Sequence, residues 1–132
     1  CAWERKRQWD GIAVSGTTAA NLQQMGDFYL SPYRMTAPMR INTRNESLSF
    51  VKREIAEQDV VCLDGLPVTK PERTLVDLCL DFEDPSLIID AYNDALGRGL
   101  DIQRLKALVE ENSKTAKRRE LMAPLLIALG CD

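Results

Sequence analysis

The stretch GLPVTKPERTLVD, residues 65–77, marks the point where the sequence changes from a strand pattern to a helix pattern. Thr69 and Glu72 have the spacing of a capping box, in which the hydroxyl accepts a first-turn amide and the carboxylate reaches back to the cap amide. Pro71 suits the first turn, where its missing N–H costs no hydrogen bond. Leu75 then begins an apolar stripe of helical period. The stretch therefore predicts a corner between a strand and a helix.

Short segments rich in β-branched and aromatic residues precede this corner, between residues 28 and 68. Pro, Asn, Glu and Gly separate them, which is typical of strands joined by turns. Before these segments, a threonine cap followed by helix formers over residues 16–22 predicts one short helix, which we expect to stop at Gly26. The sequence before the corner therefore predicts a short helix and a small sheet.

Four amphipathic helices are predicted after the corner. The first carries its apolar stripe as far as Phe82, and the second occupies residues 84–97. The third starts at Asp101, and the fourth follows Ser113 and is bent or restarted by Pro124. Strands followed by helices predict an α+β fold, with the short helix and a small, mainly antiparallel sheet in the first half and a four-helix cluster in the second.

The length of 132 residues fits a single domain, residues 1–132, and contents of 45% hydrophobic and 28% charged residues are typical of globular proteins. No stretch approaches the roughly 20 apolar residues of a membrane span. The basic residues 5–7 are not followed by the apolar core of a signal peptide. We therefore expect a cytoplasmic protein that does not enter a membrane.

The chain has no histidine, and its four cysteines are far apart in sequence, so the ligand spacing of a zinc site is missing. We predict neither a metal ion nor another cofactor. Cys62 and Cys79 lie within apolar runs, and an intracellular compartment keeps thiols reduced. Both are therefore predicted to be reduced core thiols rather than disulfide partners.

Basic side chains gather in two places although the net charge is −3. Residues 34–53 form a basic strip, and a basic cluster lies at the head of the last predicted helix. Such charges usually belong to solvated faces, but they are also the candidates for contact with a partner or with phosphate. The candidates are Arg40, Arg44, Lys52 and Arg53 in the strip and Lys114, Lys117, Arg118 and Arg119 in the cluster. A nucleic-acid binder that acts through residues 34–53 is one functional alternative.

Arg73 is unexpected in the corner, because a cation in the first turn of a helix opposes the helix dipole. Its pair with Asp77 has the weaker of the two i,i+4 orientations. A guanidinium group suits the bracing of backbone carbonyls or of a carboxylate across the fold, and we favour this role over contact with a partner or phosphate. Thr69, Glu72, Arg73 and Asp77 are therefore assigned to a structural motif.

No catalytic residues are predicted. The hydroxyl side chains within residues 15–18 have no base to activate them, and helix capping accounts for them. Asp90 and Asp94 share a helix face, and together with Asp77 they are the acids of the enzymatic alternative, a metal-dependent nuclease. Oxygen-ligand metal sites usually recruit loop carbonyls or more acids, so we interpret the pair on the helix as solvated.

The corner and its surroundings resemble the carboxy-terminal domain of the AbiEi family of antitoxins, from type IV toxin–antitoxin and abortive-infection systems. The matching segments are DGLPVT at residues 64–69, PERTLVD at 71–77, IDA at 89–91, LGRG at 96–99 and the small-residue helix start SGTTAA at 15–20. The resemblance spans most of the chain.

The resemblance implies a bacterial, non-enzymatic transcriptional regulator. Members of the family typically join an amino-terminal winged-helix DNA-binding domain to a domain of this kind, repress their own operon and counter a nucleotidyltransferase-like toxin. No winged helix is visible before Cys1, so DNA binding is expected mainly through a domain outside this chain. The expected partners are a cognate toxin protein and, for the intact regulator, DNA, and a homodimer is also considered.

Overall fold

Strands dominate the first half of the described chain and helices dominate the second. The structure, a computed structural model, describes residue 1, residues 3–4 and residues 8–130. The first elements in these residues are β1 Ala13–Val14, α1 Gly16–Leu22, β2 Tyr33–Ala37, β3 Leu48–Lys52, a 3₁₀ turn Glu57–Asp59, β4 Val60–Leu63 and β5 Leu66–Thr69. The helices that follow are α2 Pro71–Leu80, α3 Pro85–Leu96, α4 Ile102–Glu111, α5 Ala116–Leu121 and α6 Ala123–Ala128. The predicted α+β class is confirmed.

The strands of the described residues form one mixed sheet in the order β3-β2-β1-β5-β4. β1 is antiparallel to β2 and parallel to β5, where it pairs Val14 with Val68. β2 and β3 are parallel, whereas β4 and β5 form an antiparallel hairpin. The sheet is therefore mixed rather than mainly antiparallel, because strand direction depends on which distant strands meet and not on the local residue pattern.

Asp64 and Gly65 connect β4 to β5 with the left-handed backbone that a two-residue hairpin turn needs. Their φ angles are 52° and 79°, respectively. These values fit a type I′ turn, for which Asp-Gly is a preferred sequence. The turn sets the register of the hairpin, which pairs Leu63 with Leu66. The strand that leads into α2 is thus held in place directly before the corner.

The corner between β5 and α2 forms without the predicted capping box. Lys70 occupies the N-cap position and makes no capping hydrogen bond through its side chain. Thr69 belongs to β5, and its hydroxyl oxygen lies 2.7 Å from that of Thr74. Glu72 instead accepts the backbone amide of Asp101, at the start of α4, at 3.1 Å. Thr74, on α2 itself, and Asp101, before α4, thus bond to the two side chains predicted to cap the helix, while the proline occupies the first turn as predicted.

The main apolar core lies between α2 and the helices that follow it, α3 to α6. Helix α2 buries Leu75, Leu78 and Cys79, as its stripe predicts. Met25 and Phe28, which follow α1, enter the same core. Each buried side chain of leucine size contributes about 1.5–3 kcal/mol, so the short helices depend on packing rather than on intrinsic helix propensity.

The last predicted helix consists of two short helices. Met122 ends α5 and begins α6, and Pro124 lies in the first turn of α6. A proline cannot continue the hydrogen-bond ladder of a helix, so the predicted restart is confirmed. The described helices, including these two, lack the length and hydrophobicity needed to cross a membrane.

A separate apolar cluster joins the start of the chain to β1 and β4. Trp3 packs there with Ala13 and Val60. The rings of Trp3 and Trp9 meet edge to face, with their centroids 5.4 Å apart. The indole N–H of Trp9 donates to the carbonyl oxygen of Ile55 at 2.9 Å. The indole rings therefore cover apolar surface and satisfy a polar group of the chain between β3 and β4.

Cys1 and Cys62 form a disulfide across this cluster. The prediction of Cys62 as a reduced core thiol is therefore wrong. The two cysteines are separated by 61 residues, and only the folded chain brings the segment before β1 next to β4. Cys79 is a buried free thiol, which confirms its predicted place in the core.

Candidate protein-interaction site

Buried ion pairs hold the motif residues of the corner. Arg73 and Asp77 lie one turn apart on α2, and Nε and Nη2 of Arg73 donate to Oδ1 of Asp77 at 3.2 and 2.9 Å. Nη1 of Arg53 lies 3.5 Å from the same oxygen. Asp77 has no exposed surface, and Arg73 is only 7% exposed. The structure therefore places Arg73 inside the protein, against a carboxylate of its own helix.

Opposing effects act on the pKa of Asp77. Burial raises this pKa, whereas the charge and hydrogen bonds of Arg73, and then the charge of Arg53, lower it. Burial is the larger effect, so the pKa lies above its ordinary value. An isolated carboxylate at this depth would be neutral, and the facing guanidinium groups are what favours its charged form.

A second carboxylate connects the end of α2 to the sheet. Oδ1 of Asp81 accepts from Nη2 of Arg34, on β2, at 2.9 Å and from Nη2 of Arg53, directly after β3, at 2.7 Å. Gly16 packs against this pair: a Cβ atom there would lie 3.0 Å from Oδ2 of Asp81 and 3.1 Å from Cγ of Arg34. Its φ of 54° is also left-handed. The glycine of the SGTTAA segment therefore makes room for the ion pairs.

The basic strip divides into paired and exposed side chains. Arg53 is held by the two carboxylates just described. Arg40, Arg44 and Lys52 are exposed. Arg53 therefore takes part in internal bracing, whereas the other three candidates of the strip remain accessible at the surface.

The acids of the nuclease alternative lie in different surroundings. Asp77 is buried on α2, whereas Asp90 and Asp94 are exposed on α3. Asp94 accepts the backbone amide of Gly26 at 2.7 Å. Within the described ranges, no group of three or more His, Cys, Asp or Glu residues is arranged to hold a metal ion. The fold therefore does not bring these three acids into one site.

An apolar groove opens on the surface between the start of α3 and the helices α5 and α6. Its volume is about 640 Å³. This size is typical of cavities that hold a ligand or part of a partner. We call it the α3–α6 groove, and it is lined by Cys79, Phe82, Glu83, Asp84, Pro85, Ser86, Ile88, Ile89, Lys117, Glu120, Leu121, Ala123, Pro124 and Ile127.

Phe82 lines this groove in an unusual conformation. Its φ is 61°, in the left-handed region, and it is 78% exposed. Its amide donates to the carbonyl of Cys79 at 3.2 Å, and the amide of Glu83 donates to the carbonyl of Leu78 at 3.1 Å, which is the Schellman pattern at the end of a helix. Glycine is the usual residue at this position, and any other residue costs roughly 1–2 kcal/mol there. The backbone is therefore strained at the same residue whose aromatic ring is exposed to solvent.

Acidic side chains outnumber basic ones around the groove. Glu83, Asp84 and Glu120 line it together with one base, Lys117, so the ionised groups give a net charge of −2. Asp84 accepts the hydroxyl and the amide of Ser86, and these hydrogen bonds hold its pKa below the ordinary value. Burial, helped by the charge of nearby Asp81, raises the pKa of Glu83. The groove is therefore apolar inside and acidic around its edge.

Cys79 adds a buried thiol to the lining of the groove. Burial raises the pKa of this thiol to about 12, although a hydrogen bond with the backbone of Leu125 acts in the other direction. A thiol with such a pKa is almost entirely protonated at neutral pH, and the thiolate is the nucleophile in cysteine chemistry. Cys79 therefore serves as apolar packing in this wall.

A second depression next to α5 carries the opposite charge. Lys106, Lys114 and Arg119 line it together with one acid, Glu110, and its volume is about 370 Å³. The predicted basic cluster is exposed as a whole, but only Lys117 contributes to the α3–α6 groove. The structure therefore places Lys117 at the acidic groove and Lys114 and Arg119 at the basic depression, while Arg118 lines neither.

Sequence reasoning does not find the groove because it assigns Phe82 to the buried stripe. That assignment is wrong: α2 ends at Leu80, and the ring lies two residues beyond the helix. The start of the next helix at Asp84 is the signal that points to this result, since it leaves room only for a turn. An apolar residue at the reversal between two helices need not continue the stripe of the first.

No protein-family model, curated protein or solved structure matches this chain. The geometry alone therefore selects the candidate site. The α3–α6 groove combines apolar walls, a strained and exposed aromatic residue and a charged edge, and exposed apolar surface of this kind marks places where proteins bind one another.

Proposed function

We propose that this chain is an AbiEi-like antitoxin module, a non-enzymatic protein-interaction domain of a bacterial transcriptional regulator. In this proposal it neutralises a nucleotidyltransferase-like toxin and supports operon repression through a DNA-binding domain outside this chain. The α3–α6 groove is the observation that carries the proposal, because it offers a partner protein an open apolar surface. The resemblance at residues 65–77 supplies the family in which that partner is a toxin.

The internal use of the motif residues supports an interaction role over catalysis. Arg73 and Asp77 neutralise each other in the interior, and Glu72 holds the start of α4. Thr69 and Thr74 bond to each other in the same buried region. An active site needs such groups directed at a substrate. Here they connect the sheet to α2 and α2 to α4, whereas the apolar surface of the groove is open to another molecule.

Toxin neutralisation tests the proposal. A nucleotidyltransferase-like toxin from a neighbouring gene is expressed under an inducible promoter, with or without this chain. We expect the chain to restore growth, to co-elute with the toxin and to lower its nucleotidyltransferase activity in a purified mixture. Growth arrest and toxin activity that stay unchanged in the presence of folded chain would exclude the antitoxin role.

A further inference from the structure

We infer that the α3–α6 groove binds a helical segment of the partner protein that has one apolar face and basic side chains flanking it. The inference rests on the proposed function and deepens it, because it names the chemistry of the segment that this surface recognises. Recognition of an amphipathic helix by a groove uses apolar side chains spaced along one helix face.

The apolar walls of the groove offer two anchoring points for such a face. Phe82 is 78% exposed and Ile127 is 72% exposed, and both line the same groove. Large exposed apolar side chains within one concave surface are unfavourable in water, and a partner that covers them recovers this free energy. The side chains of Ile88 and Leu121 lie between these helices and provide the apolar wall on which a partner would pack.

The conformation of Phe82 supports a binding role for its ring. Glycine would end α2 with the same hydrogen bonds and without the strain of a positive φ, which is 61° at this residue. A ring this exposed gains little free energy from burial to offset the strain, and strain of this kind is concentrated at sites of function. We therefore assign to the aromatic ring a contact with the partner, since the turn itself does not require phenylalanine.

The charge of the groove selects a basic partner over an acidic one. Glu83, Asp84 and Glu120 oppose Lys117 alone around the edge. Complementary charges around an apolar contact increase the association rate and reject partners of the wrong sign. A partner helix with lysine or arginine beside its apolar face therefore fits, whereas an acidic helix is repelled.

Fluorescence anisotropy with labelled model peptides tests this inference on the full chain. The probe is an amphipathic helix of about 18 residues, or five turns, made of leucine and lysine, and the control peptide carries glutamate in place of lysine. We expect the lysine peptide to bind at least about tenfold more tightly than the glutamate peptide. Equal affinities for the two peptides would overturn the assignment of a basic partner.

Two variants separate binding from folding. Phe82→Gly should raise the melting temperature by about 3 °C, because it relieves strain, and weaken peptide binding about tenfold. Ile127→Ser should weaken binding to a similar extent with an unchanged melting temperature, since its side chain is exposed. Leu96→Ser is the matched control, because Leu96 is 45% exposed outside the groove, and it should leave binding unchanged. Affinity that survives both groove variants, or falls equally in the control, would overturn the inference.

Sedimentation equilibrium without peptide tests for a different occupant. A dimer that forms in the parent chain and dissociates with Phe82→Gly would show that a second copy fills the groove, and the inference would fall. A monomer at the same concentrations supports it. The peptide assay contains no toxin, so failure of the groove assignment and failure of toxin neutralisation are read from separate experiments.

Discussion

The helices α2 to α6 share one continuous apolar core, whereas the strands are flanked by two small apolar clusters. In the sheet region, polar and covalent links add to this limited burial. The disulfide of Cys1 and Cys62 is one such link, and the ion pairs of Asp81 with Arg34 and Arg53 are others. Small apolar clusters stabilise a fold weakly, and cross-links are the usual supplement. One chain thus combines two modes of stabilisation, apolar burial among the helices and cross-links around the sheet, and we expect the two regions to respond differently to mutation.

The boundary between the two regions should show the largest effect. Asp77→Ala leaves the buried guanidinium group of Arg73 without the carboxylate that faces it and removes one of the two carboxylates around Arg53. We expect the free energy of unfolding to fall by about 4 kcal/mol. Urea denaturation followed by circular dichroism measures the change. The double variant Arg73→Met, Asp77→Leu is the control, because it replaces a buried pair with apolar groups and should recover most of the loss. A single variant as stable as the parent would show that the two regions do not depend on this ion pair.

The helical core should give the next largest effect. Leu105 has no exposed surface, so Leu105→Ala creates a cavity and should lower the free energy of unfolding by about 3 kcal/mol. The same denaturation experiment applies. Leu96→Ala, at an exposed position, serves as the control and should change stability by less than about 0.5 kcal/mol. Similar losses for the two variants would contradict a core confined to the inward faces of the helices.

Reduction of the disulfide should have a smaller effect, centred on the sheet region. The two cysteines are 61 residues apart, and loss of a disulfide typically costs about 2–5 kcal/mol. We expect a loss of about 2 kcal/mol, at the low end of this range, because Cys1 precedes the first strand and is not part of the sheet. Tryptophan fluorescence is a local readout, because Trp3 and Trp9 pack in the cluster that contains this disulfide. Cys62→Ser should have the stability of the reduced parent and should not respond further to reductant. A parent chain that is equally stable with and without reductant would show that the disulfide does not stabilise the sheet region.

The pH dependence from Asp84 should be the smallest effect. Hydrogen bonds from Ser86 hold the folded-state pKa of Asp84 below its ordinary value of 3.8. The charged form therefore favours folding: this contribution is present above the unfolded-state pKa and is lost as the pH falls through the lower folded-state pKa. The variant Asp84→Asn keeps a side chain that can cap the helix, but the asparagine cannot titrate. The melting temperature of the variant should therefore decline less in acid than that of the parent chain. Parallel melting profiles for parent and variant below pH 4 would refute this assignment.

Local signals in the sequence predict the elements of the fold that depend on nearby residues. The stripe of Leu75, Leu78 and Cys79 predicts the buried face of α2, and Pro124 predicts the restart of the last helix. The second predicted helix starts at residue 84, and Asp84 is the N-cap of α3. Each of these signals acts over one or two helical turns, which is the range in which residue patterns determine the backbone.

Features that depend on distant residues cannot be derived from such signals. Thr69 and Glu72 have the spacing of a capping box, but Glu72 accepts instead from the backbone of Asp101, 29 residues away. The same applies to the disulfide and to the mixed direction of the strands. The sequence does not predict the groove because its walls come from four helices, α2, α3, α5 and α6, that meet only in the folded chain. The family resemblance implies a partner-binding module, but it does not indicate which surface of the chain would contact the partner.

The position of β1 in the sheet has a consequence for synthesis of the protein. β1 lies at the centre of the sheet, and its parallel neighbour β5 leaves the ribosome about 50 residues after it. At translation rates of about 5–20 residues per second, the nascent chain exposes one side of an apolar strand for about 3–10 s. We expect this interval, rather than any step of helix formation, to be the period in which the nascent chain most needs protection by a chaperone.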